Sequence, residues 1–170
     1  MKKRMLAILA AGAVCMSMPL TAFAEETTQN LTATLTADPS YTVTIPGSVS
    51  MGNEGTMVDV TAADVTNLPE GQKISVTIAG TSAYRDQMVL EAPSTGSGRT
   101  SIRYQIISED GELIESNAST DASGVGKEVV SFTEDGTKQY EIKPVLNGRY
   151  EYNVDYTGSI TFGIGLAESA

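Results

Sequence analysis

The sequence predicts an all-β protein, a single antiparallel β-sandwich of about nine strands. Apolar and polar residues alternate with period two through most of the chain, and turn-forming residues recur about every 8–12 residues. No segment shows the 3.6-residue apolar repeat of an amphipathic helix. Short strands with this spacing are typical of an Ig-like or adhesin-like sandwich.

The chain begins with the composition of a secretory leader. A basic start, KKR at 2–4, precedes an apolar run at 5–14, and AFA at 22–24 gives the small-x-small pattern at which a signal peptidase cuts. We therefore expect residues 1–24 to be a cleaved signal peptide. Residues 25–30 are then a polar linker, and residues 31–167 form the β-domain.

Two other interpretations of this leader fit the sequence less well. An uncleaved membrane anchor is the first, because residues 5–24 are nearly long enough to span a bilayer, but Pro19 and the cleavage pattern argue against it. A lipid-modified Cys15 is the second, and the preceding residues GAV at 12–14 do not fit such a signal. We therefore predict that the chain is exported and that the leader is then cleaved.

The predicted strands are runs with apolar residues at alternate positions. Pro46-Gly47 ends the second run and the turn NLPEGQ follows the third, as expected of residues that interrupt strands. In chain order the runs are Leu31–Leu35, Tyr41–Ile45, Met57–Val65, Ile74–Ile78, Met88–Leu90 and Ile102–Ile106.

Two segments then carry Asp-Gly between strand-like runs. IISEDGELIES and VSFTEDGTKQYEI predict two β-hairpins, with tight turns at Asp110-Gly111 and Asp135-Gly136. A calcium loop is the alternative, but it needs more oxygen ligands at regular spacing than either segment contains. We interpret both as turns.

The last segment alternates most regularly. From Tyr150 to Leu166 the even positions are aromatic or aliphatic except Gly158, so we expect a strand with a bend or corner at that glycine. Tyr150, Tyr152 and Tyr156 share its apolar face, and we expect them to pack in the core with their hydroxyls at the rim. The alternative is an aromatic platform for a glycan or a partner protein.

The predicted mature chain, residues 25–170, is strongly acidic. Cleavage removes three of the 11 Lys and Arg residues and none of the 21 Asp and Glu residues, which leaves a net charge of −13. Nucleic acid and anionic membranes repel such a chain, so we expect neither as a partner after cleavage. Cys15 leaves with the leader, so the fold depends on its core and backbone hydrogen bonds without disulfides.

Most catalytic chemistry lacks its residues here. The chain has no histidine, and the mature part has no cysteine, which excludes Ser-His-Asp and Cys-His mechanisms and the common zinc sites. The Gly-rich stretches STGSGRT and ASGVGKE match no phosphate-binding motif. A glycosidase with two carboxylates remains a formal alternative. We predict that the protein is not an enzyme and uses no cofactor or metal.

Two motifs give a family resemblance. SYTVTIPGSVSMG near the start and YTGSITFGIGL near the end, around the middle strand KISVTI, resemble small secreted Gram-positive (Firmicutes) surface proteins. The pattern is similar to WxL-type and adhesin-like β-sandwich domains, although the tryptophan motif of WxL proteins is absent. The resemblance implies a β-sandwich in a secreted, extracellular or cell-wall-associated protein, and it carries over no site residues.

Two functions follow as expectations. The first is an adhesin-like binding module for an extracellular protein or glycan, binding through the polar loops Glu91–Thr100 and Glu115–Gly126. The second is a structural subunit of a surface fibre or matrix that self-assembles by strand addition, with Glu25–Thr36 as the donor. The C-terminal GLAESA carries no sorting motif, so we expect release, retention by a partner or polymerisation. The candidate ligand-contact residues are Tyr84, Arg85, Arg99 and Asn117.

Overall fold

A computed structural model describes residues 32–33, 35, 37–93, 101–116, 124–147 and 150–169. The predicted leader and linker, residues 1–30, lie outside the described residues, as do parts of the two predicted binding loops. The described chain contains one 3-10 turn at Tyr84–Asp86 and no α-helix. Its strands are β1 (Ser40–Thr44), β2 (Thr56–Thr66), β3 (Gln72–Thr81), β4 (Val89–Glu91), β5 (Ser101–Ile107), β6 (Leu113–Ile114), β7 (Glu128–Phe132), β8 (Gly136–Val145) and β9 (Ile160–Glu168).

The strands form two antiparallel sheets, which confirms the all-β prediction. Sheet A has the order β1-β2-β8-β5-β4, and β6 also pairs with β5. Sheet B has the order β7-β3-β9. The pairings include β2 with β8 and β3 with β9, so strands far apart in the sequence lie side by side. The first predicted strand, Leu31–Leu35, is described only at Thr32, Ala33 and Leu35, and none of these residues is in a strand.

Buried apolar residues from both sheets make one continuous core. Val58 and Val60 of sheet A and Ile74 and Val76 of sheet B belong to the same cluster. The alternation in β2 and β3 therefore places one face of each strand in the core, as period-two patterning requires. The rings of Tyr140 in sheet A and Phe162 in sheet B lie 6.0 Å apart between centroids, in a tilted contact.

One of the two predicted hairpins is confirmed and the other is wrong. Around Asp110-Gly111, β5 and β6 pair with each other, and Gly111 has the positive φ of +81° that a tight turn requires. Around Asp135-Gly136, β7 pairs with β3 in sheet B, whereas β8 pairs with β2 and β5 in sheet A. The chain therefore crosses between sheets here, and the Asp135 carboxylate accepts a hydrogen bond of 2.8 Å from the Val65 amide of β2.

The predicted corner at Gly158 is confirmed, but the long strand before it is not. Thr157 forms an isolated bridge with Glu91 at the end of β4 in sheet A, and β9 begins at Ile160 in sheet B. A Cβ atom on Gly158 would lie 2.9 Å from Cδ2 of Leu90, so a glycine allows the close approach. Residues 150–156 are not part of a strand.

Two buried tyrosines make the stability of the fold sensitive to alkaline pH. Burial, with a contribution from Tyr140, raises the pKa of Tyr104 from 10.0 to about 12. Burial alone raises the pKa of Tyr140 from 10.0 to about 12. Both phenols are neutral in the folded state at pH values where an unfolded tyrosine ionises.

We predict that the contribution of these two tyrosines to the free energy of unfolding is constant below pH 10 and falls between pH 10 and pH 12. In that window the unfolded state releases protons that the folded state retains. The free energy of unfolding therefore decreases by on the order of 1 kcal/mol per pH unit for each tyrosine. Urea unfolding at a series of pH values measures this slope. The double variant Tyr104→Phe/Tyr140→Phe should flatten it, and an unchanged slope would contradict the prediction.

Candidate functional site

The site is a cleft of about 660 Å³ between the inner face of sheet A, the start of β9 and two loop segments. We call it the tyrosine cleft. Its floor comes from β4, β5, β8 and β9, and its two walls are residues 46–53 and residues 150–159. The floor residues are Leu90, Ile102, Tyr104, Tyr140, Ile142, Pro144, Ile160 and Phe162.

The floor is rigid and apolar because it is also part of the core. Tyr104, Tyr140 and Ile142 are buried, and Ile160 and Phe162 pack against the same cluster. These side chains alternate along β5, β8 and β9, so their positions are fixed by strand pairing rather than by a loop. Such a pre-formed apolar base is typical of a small-molecule or glycan site.

The first wall, residues 150–159, is held by a tyrosine hydroxyl. The Glu151 amide donates to Oη of Tyr156 at 2.7 Å, and that hydroxyl donates to the Glu151 carbonyl at 3.3 Å. The loop between them includes Asn153, whose φ of +61° is one that asparagine tolerates better than most residues. Tyr156 thus closes a short loop and packs its ring toward the core.

The same wall presents two more tyrosines. The rings of Tyr150 and Tyr152 meet edge to face with centroids 5.4 Å apart, and their hydroxyls are 3.4 Å apart. The hydrogen bond with Tyr152 raises the pKa of the Tyr150 phenol. Tyr152 is 69% exposed, so the prediction that all three tyrosines pack in the core is wrong. Residues 150–156 are in neither sheet, and their alternation therefore does not describe a strand.

The second wall, residues 46–53, follows β1 and returns to β2. The Gly55 amide donates to the Gly52 carbonyl at 3.2 Å, and Oγ1 of Thr56 donates to the Ser50 carbonyl at 3.0 Å. Gly55 has a φ of +95°, and a Cβ there would lie 2.7 Å from Oε1 of Glu141. Glycine is therefore required to bring this wall against β8.

The polar groups of the cleft are neutral or acidic. Among the described lining residues the charged ones are Glu151 and Asp155, both exposed, and none is Lys or Arg. The walls also carry hydroxyl and amide side chains at Ser48, Asn53 and Asn153. This arrangement favours a neutral ligand with hydroxyl or amide groups over a phosphate or another anion.

The structure describes two of the four predicted contact residues, Tyr84 and Arg85. Tyr84 and Arg85 lie in the 3-10 turn and are not among the cleft residues, and the Arg85 guanidinium is 5.3 Å from the centroid of the Tyr84 ring. Arg99 and Asn117 lie outside the described residues. The structure adds Tyr104, Tyr140 and the wall at 46–53. No pattern in the sequence groups these residues, because β5, β8 and β1 are far apart along the chain.

Neither a metal centre nor a membrane-spanning helix is present in the described residues. No group of three or more Asp or Glu side chains there is arranged to hold a metal ion. No helix in that part of the chain is long and apolar enough to cross a membrane.

Comparisons of the chain with protein-family models, with curated proteins and with solved structures give no match. The case for a function therefore rests on the geometry and chemistry of the chain's own surfaces.

We predict that Tyr156→Phe loosens the first wall of the cleft. Loss of the hydroxyl removes both hydrogen bonds to Glu151, and one such bond contributes about 1 kcal/mol. Amide hydrogen exchange at Glu151 should accelerate by about a factor of ten or less, which NMR measures directly. Tyr152→Phe is the matched control, because its hydroxyl contacts Tyr150 instead. Equal exchange rates in the two variants would contradict this role for Tyr156.

Proposed function

We propose that the chain is a secreted or cell-surface-associated, non-enzymatic binding module with an adhesin-like β-sandwich fold, and that it binds a neutral glycan in the tyrosine cleft. The observation that carries the proposal is the cleft itself, which combines an apolar floor with tyrosines on one wall and no basic residue among its described lining. The predicted leader and the resemblance to Gram-positive surface proteins support the location.

A sugar ring matches the two surfaces of this cleft. One face of a pyranose presents C–H groups that pack on aromatic rings, and its hydroxyls pair with polar side chains and backbone groups. Tyr152 offers an exposed ring, while Asn153 and Ser48 offer hydrogen-bonding groups at the walls. The carboxylates of Glu151 and Asp155 disfavour acidic sugars by charge repulsion.

The geometry supports binding rather than hydrolysis. A carboxyl that acts as general acid in glycoside hydrolysis usually has a pKa raised by an apolar environment. The carboxylates that line the cleft, Glu151 and Asp155, are both solvent-exposed. The chain also contains no histidine to supply a proton in their place.

The test is a glycan array followed by calorimetric titration of the best neutral ligand. We expect Tyr152→Ala to weaken binding by about tenfold or more, since stacking on one aromatic ring is worth roughly 1 kcal/mol beyond the buried area. Tyr84→Ala is the matched control, because Tyr84 is 76% exposed and is not a cleft residue.

Two outcomes would contradict the proposal. If Tyr84→Ala abolished binding while Tyr152→Ala did not, the ligand would bind at the 3-10 turn. If only acidic glycans bound, the charge of the cleft walls would not set the specificity. The alternative role, a structural subunit assembled by strand addition, concerns a different surface, the edge of β9.

A further inference from the structure

β9 has an open edge. It pairs with β3 along its whole length, from Ile160 opposite Thr81 to Glu168 opposite Gln72. In the described part of the chain no strand pairs with its other side, so β9 ends sheet B. The outward-pointing N–H and C=O groups of such an edge are available to another strand.

The apolar face of β9 is also only partly covered. Ile164 lies opposite Val76 and Leu166 lies opposite Ile74, so these four side chains share the inner face of sheet B. Val76 and Ile74 are fully buried, whereas Ile164 is 43% exposed and Leu166 is 38% exposed. Apolar side chains of sheet B are therefore exposed on the side of β9 that has no neighbour. A further strand would pair there, about 4.8 Å from β9.

Between Thr161 and Ala167 the edge carries none of the usual protection against pairing, and Glu168 at its end is the charged residue of the strand. Edge strands are commonly blocked by lysine, proline or a bulge within the strand. The sequence TFGIGLA at 161–167 has no charged residue and no proline, and the irregularity in the β3–β9 register lies in β3, between Ile78 and Gly80. Gly163 and Gly165 lie on the outer face, where they leave the backbone open to a second chain.

The opposite edge of the same sheet is covered. At β7, the Glu109 amide donates to the Val129 carbonyl at 2.9 Å, and the Ser131 amide donates to the Glu109 carboxylate at 3.4 Å. Glu109 also forms an ion pair of 2.5 Å with Lys138. One edge of sheet B is thus capped by a neighbouring turn, and the other is not.

The chain contains a segment with the matching pattern. In LTATLT, residues 31–36, Leu31, Ala33 and Leu35 share one face, and threonines, which favour strands, occupy the other. Paired with β9, the aliphatic face would cover Ile164 and Leu166. Leu35 itself is 95% exposed.

A second copy is the occupant that the structure favours. β1, which follows this segment from Ser40, pairs in sheet A, and the Asp38 carbonyl accepts a hydrogen bond of 3.4 Å from Nδ2 of Asn67. Pro39 biases Asp38 toward an extended backbone, which opposes a tight reversal between the sheets. This extended backbone favours pairing of residues 31–36 with a second copy over pairing with β9 of the same chain.

We propose that residues 31–36 of one copy add as a strand to the open edge of β9 in a second copy, next to Ile164 and Leu166. The donor segment and the acceptor edge are different surfaces of the chain, so the contact is head-to-tail. A head-to-tail contact that does not close into a ring builds a filament. This inference is independent of glycan binding in the tyrosine cleft.

The test uses the chain from Glu25, the first residue after the predicted leader, since all nine described strands lie within residues 40–168. Light scattering across a concentration series should show oligomers that grow with concentration. A chain that lacks residues 25–36 should stay monomeric and should bind a synthetic peptide of residues 25–36, measured by fluorescence anisotropy.

Variants on each side of the contact test the site. Ile164→Lys in the acceptor chain should weaken peptide binding at least tenfold. Leu113→Lys should leave it unchanged, because Leu113 is 52% exposed, somewhat more than Ile164, but lies on β6. Leu35→Lys in the peptide should have the same effect as Ile164→Lys, and it cannot disturb the folding of the acceptor.

Three results would overturn the proposal. The first is the combination of two observations: the chain from Glu25 stays monomeric at millimolar concentration, and the chain that lacks residues 25–36 does not bind the peptide. Another is peptide binding that Leu35→Lys leaves unchanged. The third is a monomer in which NMR shows residues 31–36 paired with β9 of the same molecule.

Discussion

The passage of the chain between the two sheets at Gly158 determines both surfaces to which we assign a role. Thr157 is still bridged to Glu91 of sheet A, and three residues later Ile160 is paired with Thr81 of sheet B. This crossing requires the backbone to pass directly over Leu90, where a side chain on residue 158 would contact Cδ2. Because the chain passes to sheet B there, the strand that follows becomes an edge of that sheet, and the loop of residues 150–156 that precedes the crossing forms a wall of the cleft.

The tyrosine cleft and the core are continuous, so strand pairing and core packing hold the floor of the cleft in place. Tyr104 and Tyr140 are buried on strands of sheet A, and Phe162 meets Tyr140 from sheet B. The cleft floor is therefore as stable as the core, whereas the polar side chains of the cleft are carried by its two loop walls. The glycan binding that we propose here would depend on shape and hydrogen bonding, which require no histidine.

The two edges of sheet B differ, because the edge at β7 is covered and the edge at β9 is open. The edge at β7 is closed by Glu109, whose backbone and carboxylate both bond to it, and by the ion pair with Lys138. The edge at β9 has glycines on its outer face and half-exposed aliphatic side chains on its inner face. An exposed edge of this composition promotes association with another strand.

The sequence by itself determined the all-β class, most strand positions and the turn at Asp110-Gly111, because alternation and turn chemistry are local properties. It also located the corner at Gly158. It could not determine which strands pair: Asp135-Gly136 has hairpin chemistry, but β7 and β8 belong to different sheets. The exposure of Tyr152 and of Ile164 was likewise decided only by the tertiary structure. Alternation specifies which face a side chain occupies, whereas the strands packed opposite decide whether that face is covered.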